Sequence, residues 1–259
     1  MKRVLATLLM ALGACSQGSG EEPTAATSFS VETGGDLGSP TITTVSGELP
    51  TEQTRFVTKG SGKAIAADST ILYTATSFND DGQVLAGGDL ILGPAEESPL
   101  ETVGESEGTR IIEVNPQEGG AEIIVLDLLH TTAHGEQREI TSEPTIQTND
   151  AGIPELSGPG IVNSLSTTIA IRGTGPQIAA QEEVYVQYSL YDASTGDLLD
   201  STWEQSPILL DLEGTMEGIR TGVTETPVGS RLLIKIPAGQ AQGTRDLIAI
   251  IDTLAINQS

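Results

Sequence analysis

Lys59-Gly-Ser-Gly-Lys-Ala-Ile65-Ala-Ala67 and Arg172-Gly-Thr-Gly-Pro-Gln-Ile178-Ala-Ala180 are two versions of one phrase, 113 residues apart in a chain of 259. That offset far exceeds the roughly 20–50 residue period of solenoids and propellers, so each copy is expected to be a domain with its own core. The residues after each phrase agree as well. Thr70-Ile-Leu-Tyr-Thr-Ala-Thr-Ser-Phe78 and Glu183-Val-Tyr-Val-Gln-Tyr-Ser-Leu-Tyr191 read as strands, and each runs into a turn, Asn79-Asp-Asp-Gly82 or Asp192-Ala-Ser-Thr-Gly196, rich in residues that accept tight-turn geometry. Further on, Gly108-Thr-Arg-Ile-Ile-Glu-Val-Asn-Pro116 answers Gly229-Ser-Arg-Leu-Leu-Ile-Lys-Ile-Pro237, and Ile123-Ile-Val-Leu-Asp127-Leu-Leu129 answers Ile248-Ala-Ile-Ile-Asp252-Thr-Leu254.

Between Gly60–Leu129 and Gly173–Leu254 the first copy is 12 residues shorter. One residue is lost in the turn. Seven fall between Ala86/Asp200 and Gly108/Gly229, a loss expected on the helix segment, and four between Pro116/Pro237 and Asp127/Asp252.

Composition limits the partners. With 36 acidic residues against 12 basic ones the net charge is −24, which excludes nucleic acid on electrostatic grounds. The acid is dispersed, as in a solvating surface or an adaptation to salt. Met1-Lys-Arg3 followed by the short apolar run Val4–Ala14 has the form of a secretory signal, too short to span a bilayer. It ends at Cys15, the only cysteine, so no intrachain disulfide is available. Leu12-Gly-Ala-Cys15 resembles the lipobox of bacterial lipoproteins; the alternative is an ordinary signal peptide with a chance cysteine. The resemblance implies a lipidated Cys15 that anchors the chain stably to the outer face of the cytoplasmic membrane, since two acyl chains hold where one does not. The expected division is a signal peptide at 1–14, a Gly/Ser/Thr/Glu/Pro-rich tether at 15–44, a first domain at 45–132, a linker at 133–145 and a second domain at 146–259.

Hydrolase constellations are missing: there is no Gly-x-Ser-x-Gly elbow. The two histidines, His130 and His134, have a spacing that puts two metal ligands on one helical face, but they sit beside a strand end and read as linker residues. Asn79-Asp-Asp-Gly82 lacks the twelfth-position ligand of a calcium loop and reads as a hairpin turn. Gly60-Ser-Gly62 and Gly173-Thr-Gly175 lack the third glycine of a nucleotide fingerprint and read as a repeated turn.

Six motifs of copy two, in order, carry a family resemblance. Val184-Tyr-Val-Gln-Tyr188, Gly196-Asp-Leu-Leu-Asp200-Ser-Thr-Trp203, Pro207-Ile-Leu-Leu210, Gly218-Ile-Arg-Thr-Gly222-Val223, Val228–Pro237 and Leu247–Leu254 resemble an FKBP-type peptidyl-prolyl cis-trans isomerase over about residues 165–257. Asn149-Asp-Ala-Gly-Ile-Pro154, Asp200-Ser-Thr-Trp-Glu204 and the lipobox look like the lipoprotein members of actinobacteria, with tandem domains of which the first is degenerate. The resemblance implies an α+β fold: two FKBP-like domains, each a twisted antiparallel sheet of about five strands around one short helix, reduced or lost in the first.

Alternation places Val184, Val186, Tyr188 and Leu190 on one strand face, pointing inward. Tyr188 matches the family's pocket tyrosine and Asp200 the aspartate beside it, so the resemblance makes these two the catalytic pair; as plain structure they are a core tyrosine and a turn acid. The pocket wall maps to Leu199, Ile208, Met216 and Ile219, where phenylalanine or tryptophan is usual at Leu199, Ile208 and Ile219, with Gln242 and Ala249 also in aromatic places and a loop cut short at Thr244-Arg245-Asp246. Trp203 is carried with the substrate-binding residues as a cover for a pocket edge, while packing of its ring against its own loop is the favoured reading. The helix is expected over Thr215–Glu225. In copy one the paired positions hold Ala75 and Ala86.

Rotation about an X–Pro bond needs no nucleophile, metal or cofactor, only a dry pocket that favours the twisted amide over the planar one. The expected activity is prolyl isomerisation of proline-containing peptides and of secreted or cell-envelope proteins. The alternatives are a weak or inactive peptide-holding module, and a purely structural pair of domains.

Overall fold

The computed structural model describes residues 29–257; the expected signal peptide and the expected lipidation site Cys15 lie outside the described residues. The first domain comprises β1 (Ser30–Gly34), β2 (Thr41–Ser46), β3 (Thr54–Thr58), β4 (Thr70–Asn79), β5 (Val84–Pro94), a single 3-10 turn at Ala95–Glu97, β6 (Arg110–Gln117) and β7 (Gly120–Leu128). Five of these strands form an antiparallel sheet in the order β3-β6-β7-β4-β5. The turn after β4 closes as its residues require: Gly82 takes φ 78°, and the Asn79 side chain accepts the Gln83 N–H at 2.8 Å.

Within the expected tether, the described residues include two strands. Residues 30–34 and 41–46 pair as an antiparallel hairpin. Ile42 and Val45 are three apart, and the bulge at Thr43 brings them onto one face with Val31, so the three, with Phe29, pack on Phe78, Ile112, Val114, Ile123 and Val125. Sparse apolar residues suffice when a bulge collects them on one side.

The second domain comprises β8 (Glu136–Gln137), β9 (Ile146–Thr148), β10 (Pro154–Leu156), β11 (Ser166–Arg172), β12 (Glu183–Asp192), β13 (Leu198–Ser201), β14 (Ile208–Asp211), the helix α1 (Glu217–Val223), β15 (Arg231–Ile236) and β16 (Leu247–Ile256). Its sheet runs β13-β12-β16-β15-β11-β8, with β14 also on β12. Part of the expected linker is thus a strand, because Gln137 and Glu136 pair with Ile171 and Arg172 at the sheet edge. The helix lies within the expected Thr215–Glu225. Gly218 and Gly222 lower its intrinsic stability, yet they set its position: a Cβ at Gly218 would stand 2.3 Å from Ile236 Cγ2, and one at Gly222 2.7 Å from Ile234 Cδ1.

The duplication survives bond by bond. Gly60 N–H donates to Thr109 Oγ1 at 2.9 Å and Gly173 N–H to Ser230 Oγ at 3.0 Å. Ile65 N–H reaches Glu105 O at 2.9 Å and Ile178 N–H reaches Thr226 O at 3.0 Å. A Cβ at Gly60 or Gly173 would fall 2.2 or 2.0 Å from a backbone oxygen, so no other residue fits.

Behind each turn lies a bidentate ion pair. Arg110 donates to both oxygens of Asp127 at 2.6 and 2.8 Å, and Arg231 to both of Asp252 at 2.7 Å. Both carboxylates are fully buried. Each also accepts an N–H from the segment leading into its domain, Gly38 or Ala133, at 2.7 Å.

Register locates the missing seven residues. Ser77 faces Ala86 and Leu190 faces Asp200; Thr70 faces Pro94 and Glu183 faces Asp211. Eight positions separate Ala86 from Pro94 and eleven separate Asp200 from Asp211, so three losses lie in the edge strand and four in the helix segment, not all in the helix. The insertion splits the second domain's edge into β13 and β14, whereas β5 is continuous.

The domains meet through Leu72 and Leu129 of the first and Leu254 and Ala255 of the second, with Leu90, Leu92 and Tyr185 around them. Beside this contact the rings of His130 and His134 stack with centroids 3.8 Å apart. His130 Nδ1 stands 3.7 Å from Glu107 Oε2, and His134 N–H donates to Gly229 O at 2.9 Å.

These contacts make stability testable in two ways. Arg231→Met strands a buried carboxylate and should cost about 3–5 kcal/mol in denaturant unfolding, while the double change Arg231→Met/Asp252→Leu recovers most of it; equal loss in both variants would contradict this. The second test concerns pH. Burial, then the neighbouring His130, holds the His134 imidazole below its ordinary 6.5, so the unfolded chain binds more protons and stability is lost as pH falls below that value. Although burial opposes it, the neighbouring His130 and the hydrogen bonds of Thr131 hold the Glu107 carboxyl below 4.5, which extends the loss to lower pH. The Tm of the wild type should fall relative to that of His134→Gln between pH 7.5 and 5.5; a constant difference would contradict it.

Candidate functional site

Alternation on β12 does what the sequence implies: Val184 and Val186 are in the core, Tyr188 and Leu190 pack against its edge, and Gln187 turns to the other face. Asp200 on β13 stands opposite Leu190, on the Tyr188 side. The two expected site residues therefore meet, with the Tyr188 hydroxyl donating to Asp200 Oδ2 at 2.5 Å. The other carboxylate oxygen accepts the Ser201 N–H at 2.9 Å. Burial first, then the Asp200 hydrogen bond and charge, pushes the Tyr188 hydroxyl up to about 12, so it is a neutral donor throughout the physiological range.

Thr202 sets this geometry and went unnoticed in the sequence. Its Oγ1 accepts the Tyr188 N–H at 2.9 Å and donates to Gln187 Oε1 at 2.5 Å, while its own N–H donates to Tyr188 O at 3.0 Å. One buried threonine thus holds the backbone on both sides of Tyr188 at the point where the edge strand breaks. The signal available was a hydroxyl two residues beyond Asp200, opposite the tyrosine across the turn.

The expected apolar positions of the wall fall at different depths. Ile208 and Leu210 face Val186 and Val184, Ile219 is buried in the core and Met216 packs at its rim. Leu199 is the extra residue of a bulge between the pairs Leu190–Asp200 and Tyr191–Leu198 and is 45% exposed. Trp203 is not in this wall. Its ring lies 5.6 Å from the Arg231 guanidinium, which is held by Asp252, the cross-strand neighbour of Gln187. That is the face of the sheet away from Tyr188, so Trp203 packs there instead of lining the site.

Ala249 is core, while Gln242 and Thr244–Asp246 are exposed. The site is thus an open apolar shelf with one polar pair. A cleft of about 590 Å³ lies elsewhere, at the domain junction beside His130, His134, Thr174 and Pro176; the hydrogen-bonded pair, not cavity size, marks the candidate site. In the first domain Ala75 and Ala86 occupy the matching positions, and no hydroxyl or carboxylate replaces them.

The described residues form two sheet-rich domains with one α-helix, and the polar pair lies in the second. The chain is 35% identical over 100 residues to a probable FKBP-type 25 kDa peptidyl-prolyl cis-trans isomerase of Pseudomonas aeruginosa, a match covering 38% of this chain and 40% of that protein. The match therefore spans about two fifths of the relative's length. No family model matches the chain. Solved structures with similarity include a peptidyl-prolyl isomerase of Pseudomonas syringae (21% identity, TM-score 0.34, 39% of this chain and 81% of that one). The three FKBP domains of wheat FKBP73 align at 12% identity and TM-score 0.34, over 80% of this chain and 95% of that one.

The titration of Tyr188 checks the pair. Followed by the ring Cζ carbon shift, the wild-type phenol should stay neutral beyond pH 11 and that of Asp200→Asn should titrate earlier; a wild-type midpoint at the ordinary 10.0 would mean that the pair is absent in solution.

Proposed function

We propose that the second domain isomerises X–Pro bonds in polypeptides outside the cytoplasm. The observation that carries this reading is the Tyr188–Asp200 hydrogen bond at the rim of an apolar shelf, and the similarity to an FKBP-type isomerase supports it. The barrier to rotation is about 18–20 kcal/mol because the planar amide is resonance-stabilised. A site lowers it by holding the twisted amide better than the planar one.

In this reading the proline ring rests against Ile208, Met216 and Ile219, away from water. In the twisted amide the C–N bond loses its double-bond character, the carbonyl oxygen loses the charge that resonance gave it and the lone pair returns to the nitrogen. The neutral Tyr188 hydroxyl gives its one proton to Asp200 and turns its oxygen to the rim, and Asp200, itself fixed by the Ser201 N–H, orients it. No bond is made or broken and no proton changes owner. Placement at the outer membrane face, by lipid on Cys15, rests on the sequence Met1–Cys15 alone.

A second reading, a peptide holder with little turnover, draws on the exposure of Leu199 and Ile208, at 45% and 37%: a shelf open to water excludes it poorly.

Proline exchange NMR on the full chain separates the readings. Isomerisation is the reading if the wild type accelerates exchange and Asp200→Ala or Tyr188→Phe lowers kcat/KM at least about tenfold, the equivalent of about 1.4 kcal/mol. Binding with no acceleration leaves the holder, and variants equal to an active wild type remove the pair from the site.

A further inference from the structure

Among the described residues eleven large apolar side chains are exposed, and seven stand on β5 or on β13 and β14. They recur in register. Val84 faces Phe78 as Leu198 faces Tyr191, and Ile91 faces Tyr73 as Ile208 faces Val186. Even the bulge is repeated: Leu85 is skipped between Ala86 and Val84 as Leu199 is skipped between Asp200 and Leu198. Leu85 is 58% exposed and Val84 61%. The first domain has thus lost the tyrosine and the aspartate but kept the apolar edge around them.

That edge differs from its counterpart in continuity. β5 runs eleven residues without a break and ends the sheet with nothing paired to its outer side, whereas Thr202–Pro207 interrupts the second domain's edge. A free edge offers a row of backbone N–H and C=O groups to any extended chain. The Gly87–Gly88 bend, with φ of 85° and 99°, limits pairing to one side of it, along Asp89–Gly93, and leaves Leu85 and Val84 to the far end of the incoming segment.

Charge selects the segment. From Ala64 to Thr109 the sequence has nine acidic residues and no lysine or arginine. Asp80 and Asp81 lie at one end of β5, Asp89 within it, and Glu96 and Glu97 past the other end. A second copy of the chain brings the same acid and is repelled, whereas an apolar segment bearing lysine or arginine is drawn in.

We propose that the β5 edge of the first domain takes up an extended, apolar, lysine- or arginine-bearing polypeptide segment by strand addition, independently of turnover in the second domain. The probe is a fluorescein-labelled ten-residue peptide of alternating leucine and lysine, free of proline, followed by anisotropy on the full chain. Lacking proline, it reports on this edge whether or not the second domain isomerises anything. The unmodified peptide should bind, and Val84→Lys/Ile91→Lys should weaken it about tenfold or more. A peptide with glutamate for lysine, or with alternate amides N-methylated, should not bind. Equal affinity of the methylated peptide, double-variant affinity within about twofold of wild type, absence of binding, or self-association through β5 in sedimentation would each overturn the proposal. The methylated peptide decides the matter even if the double variant fails to fold.

Discussion

Asp127 and Asp252 are buried charges at the same place in two sheets, and each is tolerable only because an arginine meets both of its oxygens and a backbone N–H meets one of them again. Such an arrangement adds little net stability over an apolar pair but is costly to break on one side. Its consequence is geometric. The aspartate sits on one central strand and the arginine on the next, so the pair fixes their register. The N–H it accepts comes from Gly38 or Ala133, so it also fixes how the chain enters each domain. In the first domain Arg110 reaches further, to the carbonyls of Gly34 and Asp36 at 3.0 and 2.9 Å, and binds the β1–β2 hairpin to the sheet.

With the centre so fixed, variation moves to the edge. The interruption at Thr202–Pro207 leaves room for Thr202 to bond both sides of Tyr188 and for Trp203 to fold back over Arg231. Where those residues are absent, β5 continues past Ala75 through a bulge at Gly87–Gly88 and the helix shrinks to one 3-10 turn. The polar pair, the broken edge and the helix occur together in one domain and are lost together in the other, because each occupies the same corner of the sheet.

Much of this was legible in the chain. The repeated phrases gave the domain count, and the offset of 113 aligned Ala75 with Tyr188 as the strand register does. Alternation in Glu183–Tyr191 pointed Tyr188 inward, and order of motifs brought Asp200 to it. The features that escaped the sequence depended on faces and gaps. Trp203 lies close after Asp200, yet its side of the sheet is decided by Thr202, whose bonds exist only after folding. The hairpin in the expected tether has a composition suited to a flexible segment; only the placement of Val31, Ile42 and Val45 on one face distinguishes it. Arg110–Asp127 and Arg231–Asp252 stood in the aligned motifs, but their pairing needs the antiparallel register of adjacent strands, which spacing alone does not disclose.

The central claim is an asymmetry: one fold twice, one prolyl site. Chemical-shift mapping of the full chain with a short, uncharged proline peptide tests it directly. Perturbations are expected at Tyr188, Asp200, Ile208, Met216 and Ile219 and not at Ala75 or Ala86. Shifts centred on the first domain, or on His130 and His134 at the junction, would contradict the account.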